Sequence, residues 1–81
     1  MTNKHILQEL RYKLHADYSD QWHALFAGDT ARLLAAQSAV QSTKDFAAQL
    51  LGNKYWDKIE SIADSVQYEA AREQSNLYTG A

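Results

Sequence analysis

Cysteine and proline are both absent from this chain of 81 residues, and glycine occurs only three times. Without cysteine there is no disulfide scaffold, no thiolate ligand for zinc and no thiol nucleophile, and this composition suits a reducing, cytoplasmic compartment. Without proline, Gly28, Gly52 and Gly80 are the only strong breakers of backbone structure. The composition therefore predicts long stretches of uninterrupted secondary structure.

Long hydrophobic runs and an excess of one charge are also missing. No segment approaches the ~18 consecutive apolar residues of a membrane-spanning helix, and the charges of Lys4, Glu9 and Arg11 do not suit a secretory signal. Eight Lys and Arg against ten Asp and Glu leave a net charge of -2, so nothing drives a general attraction to phosphate backbones or anionic lipid. We expect no membrane association, and nucleic acid is not the default partner.

The whole chain, residues 1–81, is expected to form a single domain. Its length is about half of the ~150 residues that serve as a rough prior for one domain. A hydrophobic fraction of 46% with 22% charged residues is ordinary for a folded globular protein. Because so small a domain buries little apolar surface, we expect modest stability. Self-association, in which a second copy covers more of the apolar surface, stays open.

The first predicted helix runs from about Asn3 to Ala27. It opens with apolar residues three and four positions apart on one helical face: Ile6, Leu7, Leu10 and Leu14. Trp22 and Phe26 lie about 90° away from that face at 3.6 residues per turn. Either the helix breaks or its later half packs on a different neighbour. Because Asp17 to Asp20 are residue types that cap helices, we expect a kink or a restart there.

The second predicted helix spans about Thr30 to Leu51 and follows the break at Gly28. Asp29 can cap its first turn, and Gly52 stands where a left-handed residue commonly ends a helix. A heptad-like seam of apolar and small residues runs along it: Leu33, Ala36, Val40, Thr43, Ala47 and Leu50. Ser42 to Asp45 has the pattern of a capping box, which leaves open a division of this helix in two.

The third predicted helix starts near Lys54 or Asp57 and has the clearest periodicity. One stripe carries its apolar residues: Tyr55, Ile59, Ile62, Ala63, Val66, Ala70 and Leu77. The opposite face is polar and acidic, and the tail from about Asn76 is expected to fray. No alternating apolar runs joined by a hairpin turn occur. The sequence therefore predicts an all-α fold, a small three-helix bundle that becomes four helices if the first or second is broken.

No residue pattern typical of an enzyme or a metal site is present. His5, His15 and His23 stand ten and eight residues apart, whereas two histidines that bind one metal on a helix are about four apart. No glycine flanks a serine, and the isolated glycines form no phosphate-binding loop. Paired carboxylates such as Asp57 and Glu60 lie on the wet side of a helix. We therefore expect no catalytic residue, no cofactor and no metal.

Aromatic residues make up 11% of the chain, and several of them leave the apolar stripes. Tyr12 and Tyr68 point away from those stripes. Each ring either lies flat over the core with its hydroxyl in water or forms the anchor of a binding surface. Four other aromatic residues are expected to close the core from a third direction: Trp22, Phe26, Phe46 and Trp56.

Two groups of residues around these tyrosines are the candidate protein-binding sites. Asp64 and Arg72, four residues before and after Tyr68, would surround an aromatic anchor with a polar rim. Exposed aromatic residues among charges have the composition of an interface. The second candidate group consists of Tyr12, Arg11 and His15.

These features favour a non-catalytic protein-binding module that acts as an inhibitor, adaptor or accessory subunit of a larger intracellular complex. A small chain can do this because an interface needs only about 800 Å² on each side. Some such chains are carried by phages or mobile elements, which is one hypothesis for its origin. The expected partner is another protein, and a homo-oligomer stays open. The alternative is a nucleic-acid-binding regulator that uses a basic face of Lys4, Arg11 and Lys13.

Overall fold

A computed structural model describes residues 2–79 and contains three long helices. Helix α1 is Asn3–Ala27, helix α2 is Thr30–Leu51, and helix α3 is Trp56–Thr79. A 3₁₀ turn at Asn53–Tyr55 leads from α2 into α3. No strand occurs within the described residues, so the prediction of an all-α three-helix bundle is confirmed.

The ends of the helices lie at the capping residues of the sequence. Thr2 Oγ1 accepts a hydrogen bond from the backbone N–H of His5 at 3.2 Å, and Asp29 Oδ1 accepts one from the N–H of Arg32 at 3.1 Å. Gly28 has a φ of 73°, a left-handed conformation that glycine adopts without steric cost. Because only two residues connect α1 to α2, these helices form an antiparallel pair.

Helix α1 runs without a break through Asp17 to Asp20, so the predicted restart is wrong. Asp17 caps no helix. Its side chain is buried, with only 6% of its surface exposed. One carboxylate oxygen accepts from Lys13 Nζ at 2.9 Å and the other from Thr43 Oγ1 at 2.8 Å. Helix α2 is likewise continuous through Ser42 to Asp45. Both helices stay whole where the sequence offers caps.

Helix α1 packs against both α2 and α3, whereas α2 and α3 contact each other much less. Leu10 and Leu14 of α1 are buried, and Trp22, farther along, packs half-buried against the same core. The change of apolar phase along α1 is therefore not accompanied by a break in the helix. An ion pair between Lys44 and Glu60, with 3.3 Å between Nζ and Oε1, joins α2 to α3.

The core lies where the three helices meet. Most of the predicted stripe of α3 is buried, as expected: Ile59, Ile62, Ala63, Val66 and Ala70. Leu77 lies on the same stripe but is 73% exposed, since the buried residues of this stripe end at Ala70. On α2 the core contains Leu51 in place of the expected Leu50. The other large core residues come from α1 and α2: Leu10, Leu14, Tyr18 and Val40.

Two of the four aromatic residues expected in the core are exposed. Trp22 and Trp56 pack half-buried against the core, as predicted. Phe26 is exposed, although its ring centroid lies 6.2 Å from that of Trp22. Phe46 is 62% exposed, because no residue of α3 borders the side of α2 on which it lies. The prediction that Phe26 and Phe46 close the core is therefore wrong.

The C-terminal end of α3 extends beyond the point where fraying is predicted. The helix continues through Asn76 to Thr79. Fraying is a statement about motion, so it stays a prediction for these residues. The last two residues of the predicted tail, Gly80 and Ala81, lie outside the described residues.

Tyr18 is a buried ionisable residue in the middle of α1. Burial raises the pKa of its phenol above the usual value of about 10, because desolvation disfavours the phenolate. The nearby carboxylates of Glu60, Asp64 and Asp17 raise this pKa further by charge repulsion. Folding therefore favours the neutral phenol.

Tyr18 should make the protein less stable at alkaline pH. Between the usual pKa of about 10 and the raised pKa of the folded state, the unfolded chain has lost the phenol proton while the folded chain keeps it. The free energy of unfolding therefore falls as pH rises through this window. Urea unfolding from about pH 9 to pH 11 should show a steeper decline for the wild type than for Tyr18→Phe. Equal slopes would mean that folding leaves this phenol unperturbed.

Ile59 tests the core. Ile59→Ala should lower the free energy of unfolding by about 2 to 4 kcal/mol, because it removes buried methyl groups and leaves a cavity. Leu77→Ala, on the same stripe but exposed, should change it by less than about 0.5 kcal/mol. Urea denaturation measures both values. Losses of similar size would contradict the description of the core.

The bond between Thr43 and Asp17 is tested by Thr43→Val, which keeps the shape of the side chain and removes the hydroxyl. The buried carboxylate then lacks one partner, so the free energy of unfolding should fall by about 1 to 3 kcal/mol. Thr30→Val, at the exposed start of α2, is the matched control and should have little effect. Equal stability of the two variants would show that this bond contributes nothing.

Candidate protein-binding grooves

An open groove runs between α1 and α2, near the start of α1 and the end of α2. It has a volume of about 700 Å³. Glu9 and Lys13 of α1 and Ser42 of α2 form its polar border. Thr43 and five apolar side chains line the rest, and we call this feature the apolar groove: Ile6, Leu10, Phe46, Ala47 and Leu50.

A spacing of four residues on both helices produces the apolar groove. Ile6 and Leu10 lie one turn apart on α1, and Phe46 and Leu50 lie one turn apart on α2. Phe46 and Leu50 are exposed, whereas Ile6 is half-buried and Leu10 is buried at the base. Two such rows on antiparallel helices leave a channel that a third helix can fill with its own row of side chains.

A second groove of about 570 Å³ lies between α1 and α3. Lys4 and Arg11 of α1 face Lys58 of α3 across it, and we call it the basic groove. Neutral side chains complete its lining: Leu7, Gln8, Ser61, Ile62 and Ser65. No carboxylate from the described residues contributes to this lining. The two sides of α1 therefore present surfaces of different chemistry.

The candidate site around Tyr68 is exposed, as its position opposite the apolar stripe of α3 predicts. Tyr68 is 68% exposed, and the guanidinium carbon of Arg72 lies 5.9 Å from the centre of its ring. This distance is typical of a cation–π contact. Asp64 is exposed as well. Tyr68 lines neither groove, and its role in binding stays a prediction.

The second candidate group is only partly brought together. Arg11 lines the basic groove, and His15 Nε2 lies 3.0 Å from Glu73 Oε2, a hydrogen bond that joins α1 to α3. Tyr12 is 66% exposed and lies outside both grooves. The group therefore divides into two residues on the α3 side of α1 and one tyrosine on its outer face.

The basic face expected from the sequence does not form as predicted. Lys4 and Arg11 share the basic groove, but Lys13 borders the apolar groove and binds Asp17. Lys58 takes the third position in the basic groove. Sequence reasoning missed Lys58, because its place in one groove with Lys4 and Arg11 depends on how α1 and α3 pack. The exposure of Phe46 could have been inferred from the sequence, because this residue lies off the predicted seam of α2.

Comparison with protein families, with curated proteins and with solved structures finds no match for this chain. Within residues 2–79, no group of three or more histidine, aspartate or glutamate side chains is placed to hold a metal ion. No helix in this range combines the length and the apolar character needed to cross a bilayer. The interpretation of function therefore depends on the surfaces just described.

Proposed function

We propose that this protein is a non-catalytic protein-binding module, an adaptor that holds an amphipathic helix of its partner in the apolar groove. The observation that supports this most is the exposure of Phe46 and Leu50 beside Ile6 and Leu10. Aromatic side chains in pockets are frequent anchors of protein interfaces, and exposed apolar patches with polar rims mark interaction sites. An inhibitor or accessory subunit would use the same surface. A cytoplasmic location is part of this proposal and depends on composition alone.

The walls of the apolar groove favour a helix as the occupant. Both walls are helices, whose backbone N–H and C=O groups are bonded within the helix, so they offer no edge for an added strand. A helix with apolar residues at positions i, i+4 and i+7 matches the rows of α1 and α2. Glu9 and Lys13, one turn apart on the rim, suit a partner helix with a basic and an acidic residue at the same spacing.

The surface around Tyr68 is the second candidate for protein binding, because its ring is about as exposed as that of Phe46. The nucleic-acid alternative has less support, since Lys13 lies away from Lys4 and Arg11. A second copy of the chain could also occupy the apolar groove, and the sedimentation experiment below distinguishes this from a partner helix.

A phage-displayed library of helical peptides with leucine at positions i and i+4 tests the apolar groove. Selection on the wild-type protein should enrich peptides whose affinity falls about 10-fold or more on Phe46→Ser, because the aromatic anchor is lost. Tyr68→Ser is the matched control, since it removes an equally exposed aromatic ring outside both grooves. It should bind the same peptides within about twofold. Circular dichroism checks that both variants remain helical.

Three results would contradict the proposal. Enriched peptides that lose affinity on Tyr68→Ser and not on Phe46→Ser would move the binding site to the Tyr68 surface. Failure to enrich any helical peptide would exclude a helix as the occupant. A wild-type dimer in sedimentation experiments that dissociates in Phe46→Ser would assign the groove to a second copy of the chain.

A further inference from the structure

The basic groove has a charge pattern that differs from that of the whole chain. The chain carries a net charge of -2, yet Lys4, Arg11 and Lys58 line one cleft, and all three are exposed. Among residues 2–79, no carboxylate lies within ion-pair distance of any of these three side chains. Like charges that share a cleft raise its positive potential, so the groove attracts anions.

The dimensions of the groove limit the anion to a short segment. Seven residues separate Lys4 from Arg11, which is about 10 Å along a helix that rises 1.5 Å per residue. Lys58 faces them from α3, and Gln8, Ser61 and Ser65 add hydrogen-bond donors to the same lining. Leu7 and Ile62 supply an apolar part of the lining.

We propose that the basic groove binds a short acidic segment of a second protein. Two carboxylates about 10 Å apart would accept charge-assisted hydrogen bonds from Arg11 and from Lys4, and Lys58 adds a third cation from the opposite wall. An apolar side chain between the carboxylates would contact Leu7 and Ile62. Because this groove and the apolar groove lie on different sides of α1, one molecule can hold two segments at once.

The surroundings of the groove favour a short acidic peptide over nucleic acid. Exposed Asp57 and Asp64 precede Lys58 and Ser65 in α3, and Glu73 lies farther along the same helix beside His15. These carboxylates repel a polyanion that extends beyond the groove, since duplex DNA carries a charge about every 1.7 Å. The apolar part of the lining also suits a side chain better than a sugar-phosphate backbone.

The experiment uses a rhodamine-labelled peptide of twelve residues. Its glutamates and leucines follow one another at intervals of three or four residues, the spacing of one helical face. Fluorescence anisotropy at low salt should show saturable binding to the wild-type protein. Arg11→Glu and Lys58→Glu should each weaken binding about 10-fold or more, because a charged hydrogen bond becomes a repulsion. Raising the salt concentration should also weaken it.

The matched control is Lys54→Glu, which makes the same change of net charge one helical turn from Lys58. Lys54 lies 5.7 Å from the centre of the Tyr55 ring and outside the basic groove. This variant should change affinity by less than about threefold. Phe46→Ser should bind the acidic peptide like the wild type, so this inference and the proposed helix in the apolar groove can fail independently.

Three outcomes would overturn the inference. Equal weakening by Lys54→Glu and Lys58→Glu would show attraction to net charge and not to the groove. Absence of saturable binding at low salt would exclude an acidic peptide as the ligand. Tighter binding of a twelve-nucleotide single strand, lost in Arg11→Glu and Lys58→Glu, would assign the groove to nucleic acid.

Discussion

The buried carboxylate of Asp17 favours one register of α1 against α2. A charge in the interior is strongly destabilising unless it is paired and hydrogen-bonded, and here Lys13 and Thr43 provide both partners. Because Thr43 belongs to α2, sliding one helix along the other would leave the carboxylate without this donor. The register that satisfies Asp17 is the one that places Leu10 beside Phe46. The same register therefore satisfies the polar contact and forms the apolar groove.

Helix α1 carries the chemistry of both grooves on its two sides. Helices α2 and α3 contact each other much less than either contacts α1, and an ion pair of Lys44 with Glu60 joins them. Each outer helix thus forms one groove with α1, the first apolar and the second basic. The open side of α2 is what makes a protein-binding role physically reasonable.

Local patterns predicted the number of helices, because Gly28 and Gly52 end two of them and a single apolar stripe marks the core side of α3. The same patterns failed for Asp17 to Asp20, since the residues that cap helices can also pair inside a bundle. They failed for Phe46 because α2 has apolar residues on two sides, and its sequence does not say which side α3 covers. Exposure of Tyr68 was predictable from periodicity, whereas the presence of Lys58 in one groove with Lys4 and Arg11 depends on tertiary packing.

The connection of only two residues between α1 and α2 affects how the protein folds during its synthesis on the ribosome. Closing so short a loop loses little chain entropy, and the contacts it allows are local along the chain, which favours rapid folding. Synthesis proceeds from the N-terminus, so the helical hairpin of α1 and α2 can collapse while α3 is still being translated. The surface beside Phe46 requires nothing from α3. A nascent chain would therefore display its apolar groove before the basic one exists.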